Sequence, residues 1–282
     1  MKKLILASIL IIFSIILNAQ DISSLIDKAR NGDVKSQLIV AESYMNAEMG
    51  VDADTKKAYY WAKKAALKNY APAQSLLAEI IMYDLNYEEE EGYSWAKKAA
   101  DRGDEKGKLL YGSFLYEGFG CQSNKTKGRK IVLELAQGNN YNAMVNIIEI
   151  LSIEQNYTNV LYWLKKCATN NKYPAFQFQL GLAYLNYFYN GEYYINKNIQ
   201  KIDEKKAIYW IEQAAKNGSE DAQYFYGLIC YYGNSEELED VLEYSFKTKL
   251  IIDKEEGLYW LQKSSDQGYE DAKIEIEIIN EE

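Results

Sequence analysis

Ser94 and Lys97 stand in the string Ser-Trp-Ala-Lys, the spacing at which a lysine amine can take a serine's proton and leave its oxygen nucleophilic. The Lys-Thr-Gly string that accompanies this pair in acylating enzymes is missing; Lys247-Thr248-Lys249 is its nearest counterpart. The sequence contains no histidine, which removes the commonest general base and the commonest metal ligand together. Cys121, Cys167 and Cys230 are widely spaced and odd in number. They spell neither a disulfide framework nor a metal motif, and read as small buried hydrophobes. Carboxylates are too abundant for a catalytic pair to stand out, and there is no glycine-rich phosphate loop. The sequence therefore predicts no catalytic residue, no metal site and no cofactor.

The Ser94–Lys97 pair has another origin, visible in the chain around it. Trp61–Ala66 reads WAKKAA, and the same hexapeptide returns at Trp95–Ala100. Aligned on its tryptophan, the chain gives a column at Trp61, Trp95, Ile131, Trp163, Trp210 and Trp260. The intervals run from roughly 32 to 50 residues, the period of a helical-hairpin repeat. Three residues earlier lie Ala58, Gly92, Gly128, Val160, Ala207 and Gly257; four later lie Ala65, Ala99, Leu135, Cys167, Ala214 and Ser264. Those offsets share one helical face, so the pattern is a small–large–small stripe that another helix can approach closely. Ser94 occupies the column of Tyr60, Tyr162, Tyr209 and Tyr259, and Lys97 is matched by Lys63 and Lys165. The repeat accounts for both residues without chemistry.

Eight residues after the tryptophan column come Asn69, Gly103, Asn139, Asn171, Gly218 and Gly268, with Gly32 equivalent in an opening half-unit. Glycine and asparagine tolerate the left-handed backbone that ends a helix. A second helix then starts with a small residue at Ser36, Ala73, Gly107, Ala143, Ala222 and Ala272. The expected architecture is all-α: a solenoid over 20–282 with units at about 36–69, 73–103, 107–139, 143–171, 175–218 and 222–268, closed by a capping helix at 271–280.

Residues 1–19 read as a secretory signal peptide, with Met1-Lys2-Lys3 before the uncharged run Leu4–Leu17. That run is short for a membrane span. The expected location is the periplasm, with the extracellular medium as the alternative, and no stable membrane insertion after cleavage. The formal charge of −9 repels nucleic acid and anionic lipid and favours basic partners.

Two units carry insertions, which in a solenoid project as loops and often form the binding edge. Leu185–Glu204 holds Tyr187, Phe188, Tyr189, Tyr193 and Tyr194; Tyr231–Glu256 begins with Tyr231 and Tyr232 and holds Glu236–Asp240, Lys247 and Lys249. Tyrosine gives large contact area at small entropic cost, so these seven aromatics are the candidate partner-binding residues.

The segments KAYYWAKKAALKNYAPAQSLLAEIIMY, KAIYWIEQAAKNGSEDAQYFYGLICYY and KGKLLYGSFLYEGFGC resemble the Sel-like repeat (SLR) family, relatives of the tetratricopeptide repeat. The resemblance implies a right-handed superhelix whose concave face carries a protein partner. It also implies the roles of exported members: envelope adaptor, regulator, host-interaction factor, or immunity protein neutralising a toxic effector. A β-lactamase or penicillin-binding activity is the alternative it offers through a cysteine-rich branch, whose paired cysteines this chain lacks.

Overall fold

The computed structural model describes residues 22–84, 86–169, 173–185 and 202–281. The signal segment 1–19, the residue Asn171 and the aromatics Tyr187, Phe188, Tyr189, Tyr193 and Tyr194 lie outside the described residues. The described residues form helices and turns, with no strand among them. In chain order the helices are α1 (22–30), α2 (Val34–Asn46), α3 (Thr55–Ala66), α4 (Ala71–Tyr83) and α5 (Glu89–Asp101). Next come α6 (Glu105–Glu117), α7 (Lys125–Gln137), α8 (Tyr141–Ile153), α9 (Tyr157–Ala168) and α10 (Pro174–Leu185). The last are α11 (Glu204–Lys216), α12 (Glu220–Tyr232), α13 (Glu236–Leu242), α14 (Lys254–Asp266) and α15 (Glu270–Glu281). The chain divides inside α8 into two compact units, Met1–Asn146 and Ile147–Glu282.

Short polar residues set the helix starts. The side chains of Asp33, Asp54, Asp104, Asn124, Asn140, Asp203 and Asp253 each accept the backbone N–H three residues on. Each cap contributes about 1 kcal/mol. The stops follow the expected column: Gly32, Asn69, Gly103, Asn139, Gly218 and Gly268 all take φ between +61° and +100°. At this position a residue with a β-carbon is strained unless it is asparagine or a close equivalent.

The tryptophan column falls on α3, α5, α9, α11 and α14, with Ile131 on α7. Trp61, Trp95, Trp163 and Trp260 are buried and Trp210 is half-buried. Their small neighbours are small because backbone lies against them. A β-carbon on Gly257 would come within 2.7 Å of the Tyr231 backbone nitrogen, and one on Gly128 within 2.5 Å of the Gly112 carbonyl oxygen. Helices also touch their next-but-one neighbours, α2 with α4, α4 with α6 and α10 with α12. That is how stacked hairpins share one core.

In four of the helix pairs a buried glutamine ties the second helix to the first. The Nε2 groups of Gln37, Gln74, Gln177 and Gln223 donate to the carbonyls of Ala29, Ala66, Ala168 and Ala215 at 2.8 to 3.1 Å. Each carbonyl belongs to the last turn of the preceding helix, where helix geometry leaves acceptors without an internal donor. In the second unit the same amides also accept: Asn217 Nδ2 donates to Gln177 Oε1 at 2.8 Å, and Gln267 Nε2 to Gln223 Oε1 at 2.7 Å. In the first unit Lys68 and Arg102 stand where Asn217 and Gln267 do. There the Oε1 atoms of Gln37 and Gln74 are buried with no hydrogen-bond partner.

Gln223→Leu removes two hydrogen bonds and is expected to cost about 2 kcal/mol; Gln74→Leu removes one together with an orphaned oxygen and costs about 1 kcal/mol or less. Urea unfolding followed by hydrogen-exchange mass spectrometry reports each unit separately. Equal losses at the two positions would contradict the two-sided role of Gln223.

Candidate interaction surface

Of the aromatics singled out in the insertions, the described ones are held by the fold. Tyr231 lies in the core of the second unit, 7% exposed, with the Lys254 ammonium 4.6 Å from its ring centroid. Tyr232 is half-buried, and its hydroxyl donates to the buried Glu275 carboxylate of α15. Solvent instead meets the tyrosines that precede the tryptophan column. Tyr60, Tyr162, Tyr209 and Tyr259 are 50 to 59% exposed. Each stands edge-on to its tryptophan at centroid distances of 5.0 to 5.4 Å. Lysines one turn on lie over the pairs: Lys64 over Tyr60 and Trp61, Lys166 over Trp163, and Lys263 over Tyr259. Ser94 takes the corresponding place on α5, half-buried, and Lys98 lies 3.9 Å over Trp95.

The second insertion is a folded element, not a hanging loop. Ser235 caps α13 through the Leu238 N–H. Leu238, Leu242, Phe246 and Leu250 are buried with the core of α12 and α14. Asn234 pins the return strand of chain, donating to the carbonyls of Phe246 and Thr248 at 3.0 Å and accepting from the Leu250 N–H at 2.7 Å. Glu204, the first residue of α11, fastens the same segment from the other side. Its carboxylate accepts from the Lys247 N–H at 2.9 Å, the Thr248 N–H at 2.5 Å and the Tyr244 hydroxyl at 3.2 Å. Burial pushes the Glu204 carboxyl up, but the N–H groups of Lys247 and Thr248 and the Tyr244 hydroxyl outweigh it. The group sits below the ordinary carboxylate range. Burial, with Glu204's charge beside it, pushes Tyr244 up to about 12.

This anchored platform presents Val241, Ile251 and Ile252 to solvent, Ile251 at 86% exposure. Glu236, Glu237, Glu239 and Asp240 on α13 are exposed as well. Beside the platform opens a cavity of about 930 Å³. Its lining among the described residues comes from Lys165 on α9, Tyr184 on α10, the segment 202–206 and the insertion residues Tyr244, Lys247 and Thr248. In the sequence Lys165 reads only as a repeat match of Lys97, and Tyr184, Lys205 and Lys206 belong to no motif. The available signal is that the first insertion ends where α11 begins and the second starts where α12, the helix that follows α11 and packs on it, ends.

Among the described residues no group of His, Cys, Asp or Glu is placed to hold a metal ion, and no disulfide joins the three cysteines. Burial pushes the Cys167 thiol up to about 11 and the Cys230 thiol up to about 12, so both stay protonated and weakly nucleophilic at neutral pH. No described helix is long and apolar enough to cross a membrane.

The profile of the Sel1 repeat matches residues 34–70, 71–104, 174–219, 220–240 and 245–269. No curated protein matches the sequence. Among solved structures, a Sel1 repeat protein from Oxalobacter formigenes aligns with 90% of this chain and 68% of its own, at 20% identity and a TM-score of 0.62. A protective antigen present in uropathogenic Escherichia coli strains, displaying an SLR fold, aligns with 90% of this chain at 24% identity and a TM-score of 0.56. This chain covers 50% of that antigen's length. At these identities the likeness is one of fold.

Because its folded pKa is depressed, Glu204 contributes its full anchoring above about pH 4.3, the unperturbed value, and loses it as pH falls through the lower folded value. Glu204→Gln is expected to speed exchange of the Lys247 and Thr248 amides by about tenfold at pH 7. The difference from wild type should shrink as both are taken below pH 4. Unaltered exchange would show that the apolar residues alone hold the insertion in place.

Proposed function

Since the chain belongs to the Sel1 repeat family, a scaffold suited to protein–protein interaction, we propose that it is an exported, non-catalytic scaffold whose partner is a protein held against the inserted elements. The charged start and the uncharged run Leu4–Leu17 support export, to the periplasm or beyond it. One observation carries the reading: the second insertion is built and anchored like core, yet it turns Val241, Ile251 and Ile252 outward. Exposed apolar side chains on a preorganised base, with exposed carboxylates in the same insertion, are what a binding surface needs. The carboxylates of α13 favour basic groups on the partner. That preference, with the acidic balance of the whole chain, fits a neutraliser of a toxic protein, as an immunity protein is, ahead of an envelope adaptor.

The test uses the full chain as bait in periplasmic extract, against a Val241→Asp, Ile251→Asp variant. Both side chains are exposed, and an unchanged thermal melt verifies the fold. Wild type is expected to recover a partner protein that the variant recovers at least about tenfold less well, the loss of one modest hot spot. Equal recovery would overturn the assignment of this patch.

A further inference from the structure

The cavity beside the insertion carries a charge opposite to the rest of the molecule. In a chain of formal charge −9, four ammonium groups converge on it from three parts of the second unit: Lys165, Lys205, Lys206 and Lys247. Its two carboxylates are already engaged. Asp203 caps α11 and bridges Lys206 at 2.9 Å, and Glu204 is covered by the Lys247 and Thr248 N–H groups and the Tyr244 hydroxyl. No carboxylate among the described residues pairs with Lys165, Lys205 or Lys247. Tyr184 forms an aromatic wall, with the ammoniums of Lys165 and Lys206 at 5.6 and 5.5 Å from its ring centroid. Ile202, 46% exposed, adds apolar surface.

We propose that this cavity is a docking site for an acidic peptide segment of the partner protein. The proposal rests on the scaffold reading above and adds the chemistry of what is held. Three features select a peptide over a small anion. A volume of about 930 Å³ is at the upper end of ligand pockets, far more than a phosphate fills. The backbone N–H groups of Lys247 and Thr248 that could cradle a phosphate are spent on Glu204. The cations are lysines, point charges on separate stems without the planar fork that grips one phosphate or carboxylate in two places. Such a set suits several carboxylates spaced along a chain, with Tyr184 and Ile202 receiving the intervening side chains. The acidic helix α13 lies in the same unit, so the surface alternates in sign. A partner must match that alternation in register, which is how charge supplies specificity.

The experiment measures fluorescence anisotropy of labelled hexaglutamate with the full-length protein, with hexalysine and hexaglutamine as matched probes. Hexaglutamate alone is expected to bind, more weakly as salt rises. Lys205→Glu, Lys247→Glu should weaken it at least about tenfold, whereas Lys263→Glu, on α14 outside the cavity, should leave it within about twofold. All three lysines are exposed, and unchanged thermal melting verifies the fold. Binding that ignores the double reversal, or that inorganic phosphate or a sulfated oligosaccharide displaces as well as free hexaglutamate does, would overturn the proposal. If the double reversal leaves partner capture intact while Ile251→Asp abolishes it, the docking inference fails and the scaffold reading stands.

Discussion

A two-helix hairpin of this chain has no interior of its own. Most hairpins present a stripe in which one large ring stands between two small residues, and that stripe is buried only when a neighbour lies against it. Everything else in the fold serves that close approach. At Gly257 and Gly128 the facing backbone lies where a β-carbon would sit. The glutamines on α2, α4, α10 and α12 then satisfy helix-end carbonyls that the tight stacking hides from water. The two units differ in how completely this is done. In the second the amide oxygen is also satisfied; in the first it is not, because long cationic side chains at Lys68 and Arg102 reach outward, to Gly32 and Asn69.

Once the hairpins stack, what the chain adds to them becomes the place where it can differ from its relatives. The second insertion spends four apolar residues and a buried carboxylate on being rigid. Rigidity leaves less ordering cost to be met on binding, and it fixes opposite charges at known places on one surface. The acids lie along α13, while the lysines come from α9, the start of α11 and the return of the insertion. No local stretch gathers these four lysines; the fold brings them to one cavity.

How much of this the sequence displays follows from the range of each interaction. The helices, their starts and their stops rest on contacts three to eight residues long, so the columns of small residues, tryptophan and Asn or Gly are visible in one dimension. The all-α repeat architecture follows directly. Tyr231 shows the limit of that reading: beside an insertion it looks like a binding aromatic, but its backbone lies against Gly257 and its ring belongs to the core. The anchoring of Lys247 and Thr248 by Glu204 joins residues 43 and 44 positions apart, and no local pattern announces it. The meeting of Lys165 with Lys247 is of the same kind. The glutamine lock lies between these cases, since its spacing is visible but its acceptor is not.

The shared interior is tested most directly by residue-resolved hydrogen exchange on a Trp95→Ala variant. Trp95 belongs to α5 alone, but its burial is supplied jointly with α4 and α6. The account predicts that α4, α5 and α6 lose protection together while the second unit keeps its own. Loss confined to α5, with α4 and α6 as protected as before, would mean that each helix is stable by itself and that stacking does not hold the scaffold.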